Sequence, residues 1–199
     1  MREEESKTLT RSIAVAILIG AAWLSVNCLA AQAPTPARAR QLLETGDYKG
    51  AIAAFQSILA LDGSNREARV GLARAMTAVG DYANAESKLR QFAASSPDDP
   101  AIQNALGEVL MQTGRYAEAG DTFDRASKSA RAEDWLRAVF GKGRSLIARG
   151  QDDDARSLLN QFVSYFTANS PASAPELTLI AQGLDFLERF HDSNSLYQA

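Results

Sequence analysis

Three tripeptides, Gly46-Asp47-Tyr48, Gly80-Asp81-Tyr82 and Gly114-Arg115-Tyr116, recur 34 residues apart, and a degenerate fourth copy, Gly150-Gln151-Asp152, follows after 36. A period of this size restricts the chain to a stack of similar units, each too small to bury its apolar face alone. The residues around each glycine show what the unit is. Five positions after it stands a small side chain: Ala51, Ala85, Ala119, Ala155. Nine after it stands a large apolar one: Phe55, Leu89, Phe123, Leu159. Twelve after come Ile58, Phe92, Ala126 and Phe162, and four before come Leu42, Met76, Leu110 and Leu146. Seven before are small residues again: Ala39, Ala73, Gly107, Gly143. Sites three or four residues apart share one face of a helix. Each unit therefore reads as a helix, a glycine turn and a second, antiparallel helix. The alanine lets the two helices approach closely, and the Phe or Leu that follows fills the wider part of the gap.

This pattern resembles the tetratricopeptide repeat family. One unit carries the resemblance in Leu72-Ala73, Gly80-Asp81-Tyr82, Ala85, Leu89 and Pro97. The next carries it in Leu106-Gly107, Gly114, Tyr116, Ala119, Phe123 and Ala126. It covers residues 33–168, divided at about 33–65, 66–99, 100–133 and 134–168. The first unit has Gly63 where the family usually has proline. The fourth has Asp152 in place of the tyrosine and two extra residues before its first helix, so a plain helical hairpin is an alternative there. The resemblance implies an all-α, right-handed solenoid of antiparallel hairpins whose first helices line a concave groove.

After Phe166, the run Thr-Ala-Asn-Ser-Pro-Ala-Ser-Ala-Pro reads as a loop. Ser173 and Glu176 then form a capping box, and Leu177, Ile180, Leu184 and Leu187 give one apolar stripe. This predicts a capping helix over 174–190 that covers the open end of the stack, followed by a flexible polar tail, 191–199.

On the groove side, Arg40, Arg74, Glu108 and Arg144 stand six residues before the turn glycines. Val70, Asn104 and Phe140 stand ten before, and Met111 three before. These eight residues are the candidate partner-binding set. Apolar spots beside arginines suit an extended or helical peptide whose carboxylates the arginines pair with. The lysine/asparagine clamp by which some family members hold a chain-end carboxylate is not matched, because Pro36 and Gly71 stand where it needs polar side chains.

Little else carries chemistry. The chain has one cysteine and one histidine, His191, which leaves no Cys-rich zinc site and no acid–base pair. Asp152-Asp153-Asp154 lacks the glycine and distal glutamate of a calcium loop and suits a helix start. Gly141-Lys142-Gly143-Arg144 lacks the earlier glycine and the Ser/Thr of a phosphate loop, and Gly143 fills the small packing site. The net charge of −3 argues against a nucleic-acid partner. Trp135 is expected in the core at the junction with the fourth unit. Neither a metal nor a cofactor is expected, and the chain reads as a non-enzyme.

The first thirty residues read as an address. Arg2, Lys7 and Arg11 precede an uncharged apolar run, Ile13 to Val26, and small residues follow. That describes a secretory signal peptide over 1–30, with cleavage after Ala30 or Ala31. An uncleaved membrane anchor and lipidation at Cys28 are the alternatives. The expected protein is periplasmic or secreted in a bacterium, or anchored to the inner membrane. Its expected function is protein–protein interaction through the groove, with a protein or peptide partner. The rival readings are a membrane-tethered assembly factor of an envelope complex, of pilus or outer-membrane machinery type, and a non-catalytic enzyme subunit.

Overall fold

In each Gly-Asp-Tyr turn, two neighbouring residues do opposite jobs: the glycine ends one helix and the aspartate begins the next. In the computed structural model, which describes residues 34–169 and 173–188, Gly46, Gly80, Gly114 and Gly150 all have φ between +73° and +84°. Glycine enters this left-handed region without the penalty a Cβ imposes. At the second turn the N–H of Gly80 donates to Thr77 O (3.0 Å) and that of Asp81 to Met76 O (2.9 Å). These two bonds close the helix end in a Schellman motif. Asp81 then caps the next helix by accepting from the N–H of Asn84 (3.4 Å), as Asp47 does from Gly50 (3.0 Å). Arg115 stands in the third copy and makes no side-chain cap bond.

The described residues form nine helices: α1 (Pro36–Glu44), α2 (Tyr48–Leu61), α3 (Arg66–Ala78), α4 (Tyr82–Ser95), α5 (Pro100–Gln112), α6 (Tyr116–Ala126), α7 (Ala132–Ala148), α8 (Asp152–Asn169) and α9 (Ala174–Glu188). The first eight pair as four hairpins. The repeated small sites are buried, with Ala51, Ala85, Ala119 and Ala155 at 1 % exposure or less. The bulky sites Phe55, Leu89, Phe123 and Leu159 are buried beside them. Phe123 fills the space between two hairpins, its ring lying against both Gly107 of α5 and Gly141 of α7. The first helices α1, α3, α5 and α7 pack in succession, whereas the backbones of the second helices stay apart among the described residues. A stack joined along one edge and splayed along the other must bend, with the first helices inside. The result is an all-α solenoid of hairpins.

α9 packs on both α7 and α8, the place a first helix of another hairpin would take. Gly183 makes this possible: a Cβ there would come within 2.9 Å of the Phe162 ring. The buried side of α9 is therefore Leu179, Ile180 and Gly183, with Phe186 half-buried, and Leu177 is 42 % exposed. This corrects the expected stripe at its first member, because close approach at the glycine turns Leu177 outward. The N–H of Glu176 donates to Ser173 Oγ (3.4 Å), one half of the expected capping box. Trp135 lies within the fourth hairpin, half-buried with its ring 5.3 Å from that of Tyr165. The leader, Cys28, His191 and the tail lie outside the described residues. Among the described residues, no helix is long and apolar enough to cross a membrane.

Candidate functional site

The inner edges of α1, α3, α5 and α7, closed at one end by Pro175 at the start of α9, enclose a groove of about 650 Å³. Phe55, Val70, Gly71 and Ala101 form its apolar floor. Five arginines (40, 66, 74, 131 and 137) face four carboxylates (Glu44, Glu67, Glu133 and Asp134) around it. A second cavity of about 270 Å³ adjoins it between α3, α5 and α7, lined by Ala73, Arg74, Thr77, Ala78, Asn104, Ala105, Glu108 and Arg137. Arg74 and Arg137 belong to both walls.

Most of these charges are already paired. Arg40 binds Glu67 from α1 to α3. Arg66 Nε lies 2.9 Å from both carboxylate oxygens of Asp99, and its Nη2 lies 3.1 Å from Asp134. Burial works against the Arg66 charge, but the hydrogen bonds it donates to Asp99 and Asp134 outweigh it and raise the pKa above the ordinary arginine value. One guanidinium thus links the starts of three first helices. Arg137 binds Glu133 within α7 (3.2 Å). Arg144 reaches from α7 to Glu108 of α5 (3.1 and 3.3 Å), with its guanidinium 5.7 Å from the Phe140 ring centroid.

Arg74 is different: among the described residues it forms neither an ion pair nor a hydrogen bond. It stays open to solvent, yet the groove walls desolvate it and the Arg137 charge opposes it. Both hold its pKa below the ordinary arginine value, partly offset by Glu133, Glu108 and Asp134.

The eight sequence-derived candidates fall into three groups. Arg40, Val70 and Arg74 meet in the larger cavity, and Arg74, Asn104 and Glu108 in the smaller. Met111, Phe140 and Arg144 lie in the wall of neither. Asn104 is in the wall of the smaller cavity but only 1 % exposed, and its Nδ2 donates to Asp134 O (2.9 Å). One expectation needs correcting. Phe140 is not an open apolar spot, because α9 lies over it, with ring centroids 5.8 Å from Phe186 and 6.4 Å from Phe162. Met111 is half-buried against the core.

Sequence reasoning missed Glu67, Ala101 and Arg137. All three stand thirteen residues before a turn glycine, one turn beyond the positions chosen. Extending the i, i+3, i+7 stripe by that turn would have found them.

Three family models, each described as tetratricopeptide repeat, match residues 42–81, 77–134 and 137–167. The chain carries tetratricopeptide repeats. The third match lies within the fourth hairpin, so the two-residue insertion does not break the repeat pattern. Among curated relatives, the chain is 28 % identical over 131 residues to cellulose synthase operon protein C of Xanthomonas axonopodis pv. citri, covering 62 % of this chain and 9 % of the relative. It is 31 % identical over 91 residues to the protein of that name from Escherichia coli O157:H7, covering 46 % and 8 %. The chain thus spans less than a tenth of the length of the curated relatives it matches. A tetratricopeptide repeat protein of Thermus thermophilus superposes with a TM-score of 0.60 at 17 % identity, over 74 % of this chain and 78 % of that one. Tetratricopeptide repeat domains generally bind other proteins, and the family is typically non-catalytic.

Proposed function

We propose that this is an exported tetratricopeptide repeat protein that captures a segment of a partner protein in its concave groove, in the periplasm or at the cell envelope of a bacterium. The observation that carries this reading is the groove itself. It is about 650 Å³ in volume, with an apolar floor and a charged rim, and its walls come from the inner helices of every hairpin. Those walls are helices packed on a common core, so the surface is formed before the partner arrives and the ordering cost falls on the partner. The leader pattern supports export. Similarity to segments of two bacterial cellulose synthase operon proteins supports the bacterial setting.

Photocrosslinking from defined positions tests the capture. A benzophenone side chain at Leu43 or Thr77, inside the bend, is expected to trap a protein in envelope fractions. The same group at Lys88, on an exposed second helix, is expected to trap none. Equal yields from both faces would remove the groove from the account.

A second reading follows from the uncharged run Ile13 to Val26, which becomes a tether if it is retained and extended by the alanines up to Ala33. The protein is then a membrane-tethered assembly factor of an envelope complex. Mass spectrometry of the mature N-terminus separates the two: a start near Ala31 eliminates the tether, and a start at Met1 supports it.

A further inference from the structure

The smaller cavity, between α3, α5 and α7, holds two polar groups whose demands the fold leaves unmet. The first is the Arg74 guanidinium, a cation without an ion pair among the described residues, beside a second cation, Arg137. Every other arginine lining the two cavities pairs with a carboxylate. The second is Asn104. Its amide orientation is fixed, because Nδ2 faces a backbone carbonyl that can only accept. Its Oδ1 is buried and accepts no hydrogen bond. A buried acceptor without a donor is costly to leave unmet, so its retention calls for a reason.

The two deficits are complementary to one chemical unit. A peptide residue with an acidic side chain offers an anion to Arg74 and, a few ångströms away, a backbone N–H to an acceptor. We infer that this cavity is a selectivity pocket for an internal Asp or Glu of the bound segment, whose carboxylate pairs with Arg74 and whose neighbouring backbone amide donates to Asn104 Oδ1. Oδ1 is shielded from water, so the amide reaches it only as a lining side chain gives way. Arg74 is long and held by no ion pair among the described residues, so it has the freedom to do so. Glu108 does not compete for Arg74, because Arg144 holds it from the other side. The inference rests on the groove-capture reading and adds to it the class of residue recognised.

The test uses the full chain and three fluorescein-labelled pools of random twelve-residue peptides with amidated C-termini. Glu, Gln or Lys is fixed at the centre, and binding is read by anisotropy. The native chain is expected to prefer the Glu pool to the Gln pool by about tenfold, as a charge-assisted pair would give. In Arg74→Gln the preference should fall below about twofold, and Arg74→Lys should restore part of it. Circular dichroism checks that both variants keep their helix content. For the best Glu peptide, N-methylation of one amide adjacent to the Glu should weaken binding about tenfold by removing the donor to Asn104.

Binding without a Glu preference overturns the acidic pocket and leaves groove capture standing. A preference that appears only when the peptide ends in a free carboxylate overturns it as well, since the pocket then reads chain ends. Binding indifferent to every N-methyl group removes Asn104 from the proposal. Failure of all three pools to bind overturns the groove reading and this inference together.

Discussion

The ring of Phe123 occupies the space that a side chain on Gly141 would need: a Cβ there would fall 2.7 Å from Phe123 Cε2 and nearer still to Cζ and Cε1. The same ring has the same relation to Gly107, with Cε1 2.6 Å from the Cβ position. A phenyl group clamped between helix backbones has no room to retreat. Gly141→Ala is therefore expected to destabilise the fold by about 1–3 kcal/mol through overpacking. Phe123→Ala should cost about 3–5 kcal/mol through the cavity it leaves. The double variant Gly141→Ala/Phe123→Leu should cost less than the sum, because the smaller side chain makes room for the new methyl. Urea unfolding followed by circular dichroism measures all three, and simple additivity would contradict the clamp.

The turn glycines are required for a different reason. No atom lies within 4 Å of a Cβ at Gly80 or Gly114, so a side chain there has space, but φ is +81° and +75°. Gly80→Ala and Gly114→Ala should each cost about 1–2 kcal/mol from backbone strain alone. Asn in place of either glycine should cost less, since it tolerates the left-handed region. If Ala and Asn prove equal, backbone conformation is not what selects glycine here.

Arg66 ties residues 33 and 68 positions away, Asp99 and Asp134, into one pair network. The Asp134 side chain is only 8 % exposed, and its remaining partner is Arg131 Nε at 3.6 Å. Removing Arg66 leaves a mostly buried carboxylate with one distant cation. Arg66→Met should therefore destabilise by about 1–3 kcal/mol. Arg66→Met/Asp134→Asn should recover part of that, because the stranded charge is gone. Recovery absent in the double variant would mean that Asp134 is not compensated through Arg66.

These comparisons show what the period reveals and what it hides. Ala85, Ala119, Leu89 and Phe123 were legible because every unit repeats their size at the same offset. The ring seats at Gly71 and Gly141 were not, since the corresponding position of the third unit is Ala105 and nothing recurs. Ion pairs between units leave no trace in a within-unit pattern, so the Arg66 network and the pairing of Arg144 with Glu108 were invisible. Phe140 was misplaced for a related reason: its exposure depends on α9, which belongs to no repeat. At Asn104 the register was legible but the depth was not: the hydrogen bond to Asp134 O draws the amide into the core and leaves Oδ1 without a donor.

On the outer edge, Arg90 and Arg115 both bind Glu86 (2.8 and 2.6 Å), and both bind Glu118. Burial works to raise the Glu86 pKa, but hydrogen bonds from the two arginines outweigh it and hold the group below its ordinary 4.5. The Arg90 hydrogen bond does the same for Glu118 against a smaller desolvation effect, with Arg115 adding to it. A carboxylate whose pKa is depressed on folding stabilises the native state above its unfolded pKa, and that contribution disappears as pH falls through the folded value. Stability should thus be flat near neutrality and fall with acid below about pH 4.5. Glu86→Gln/Glu118→Gln should flatten that limb while lowering the neutral plateau only modestly, because the pairs are partly solvated. Urea midpoints between pH 3 and 7 test this, and an unchanged acid slope would show that these carboxylates do not carry it.

The phase of α9 gives the sharpest contrast between pattern and geometry, because adjacent leucine-type positions have opposite fates. Leu179 and Ile180 are buried against the cluster formed by Leu136, Val139, Leu159 and Phe162, whereas Leu177 faces solvent. Gly183 fixes this rotation by letting the helix settle onto Phe162. Leu179→Ala and Ile180→Ala should each cost about 2–5 kcal/mol. Leu177→Ala should stay within about 0.5 kcal/mol of the native protein. Gly183→Val should destabilise as well by lifting the helix from the ring, and the smaller Phe162→Leu introduced with it should recover part of the loss. A large cost at Leu177 with a small one at Leu179 would mean that the helix sits in the rotation its leucines alone suggest, and that Gly183 does not set its seat.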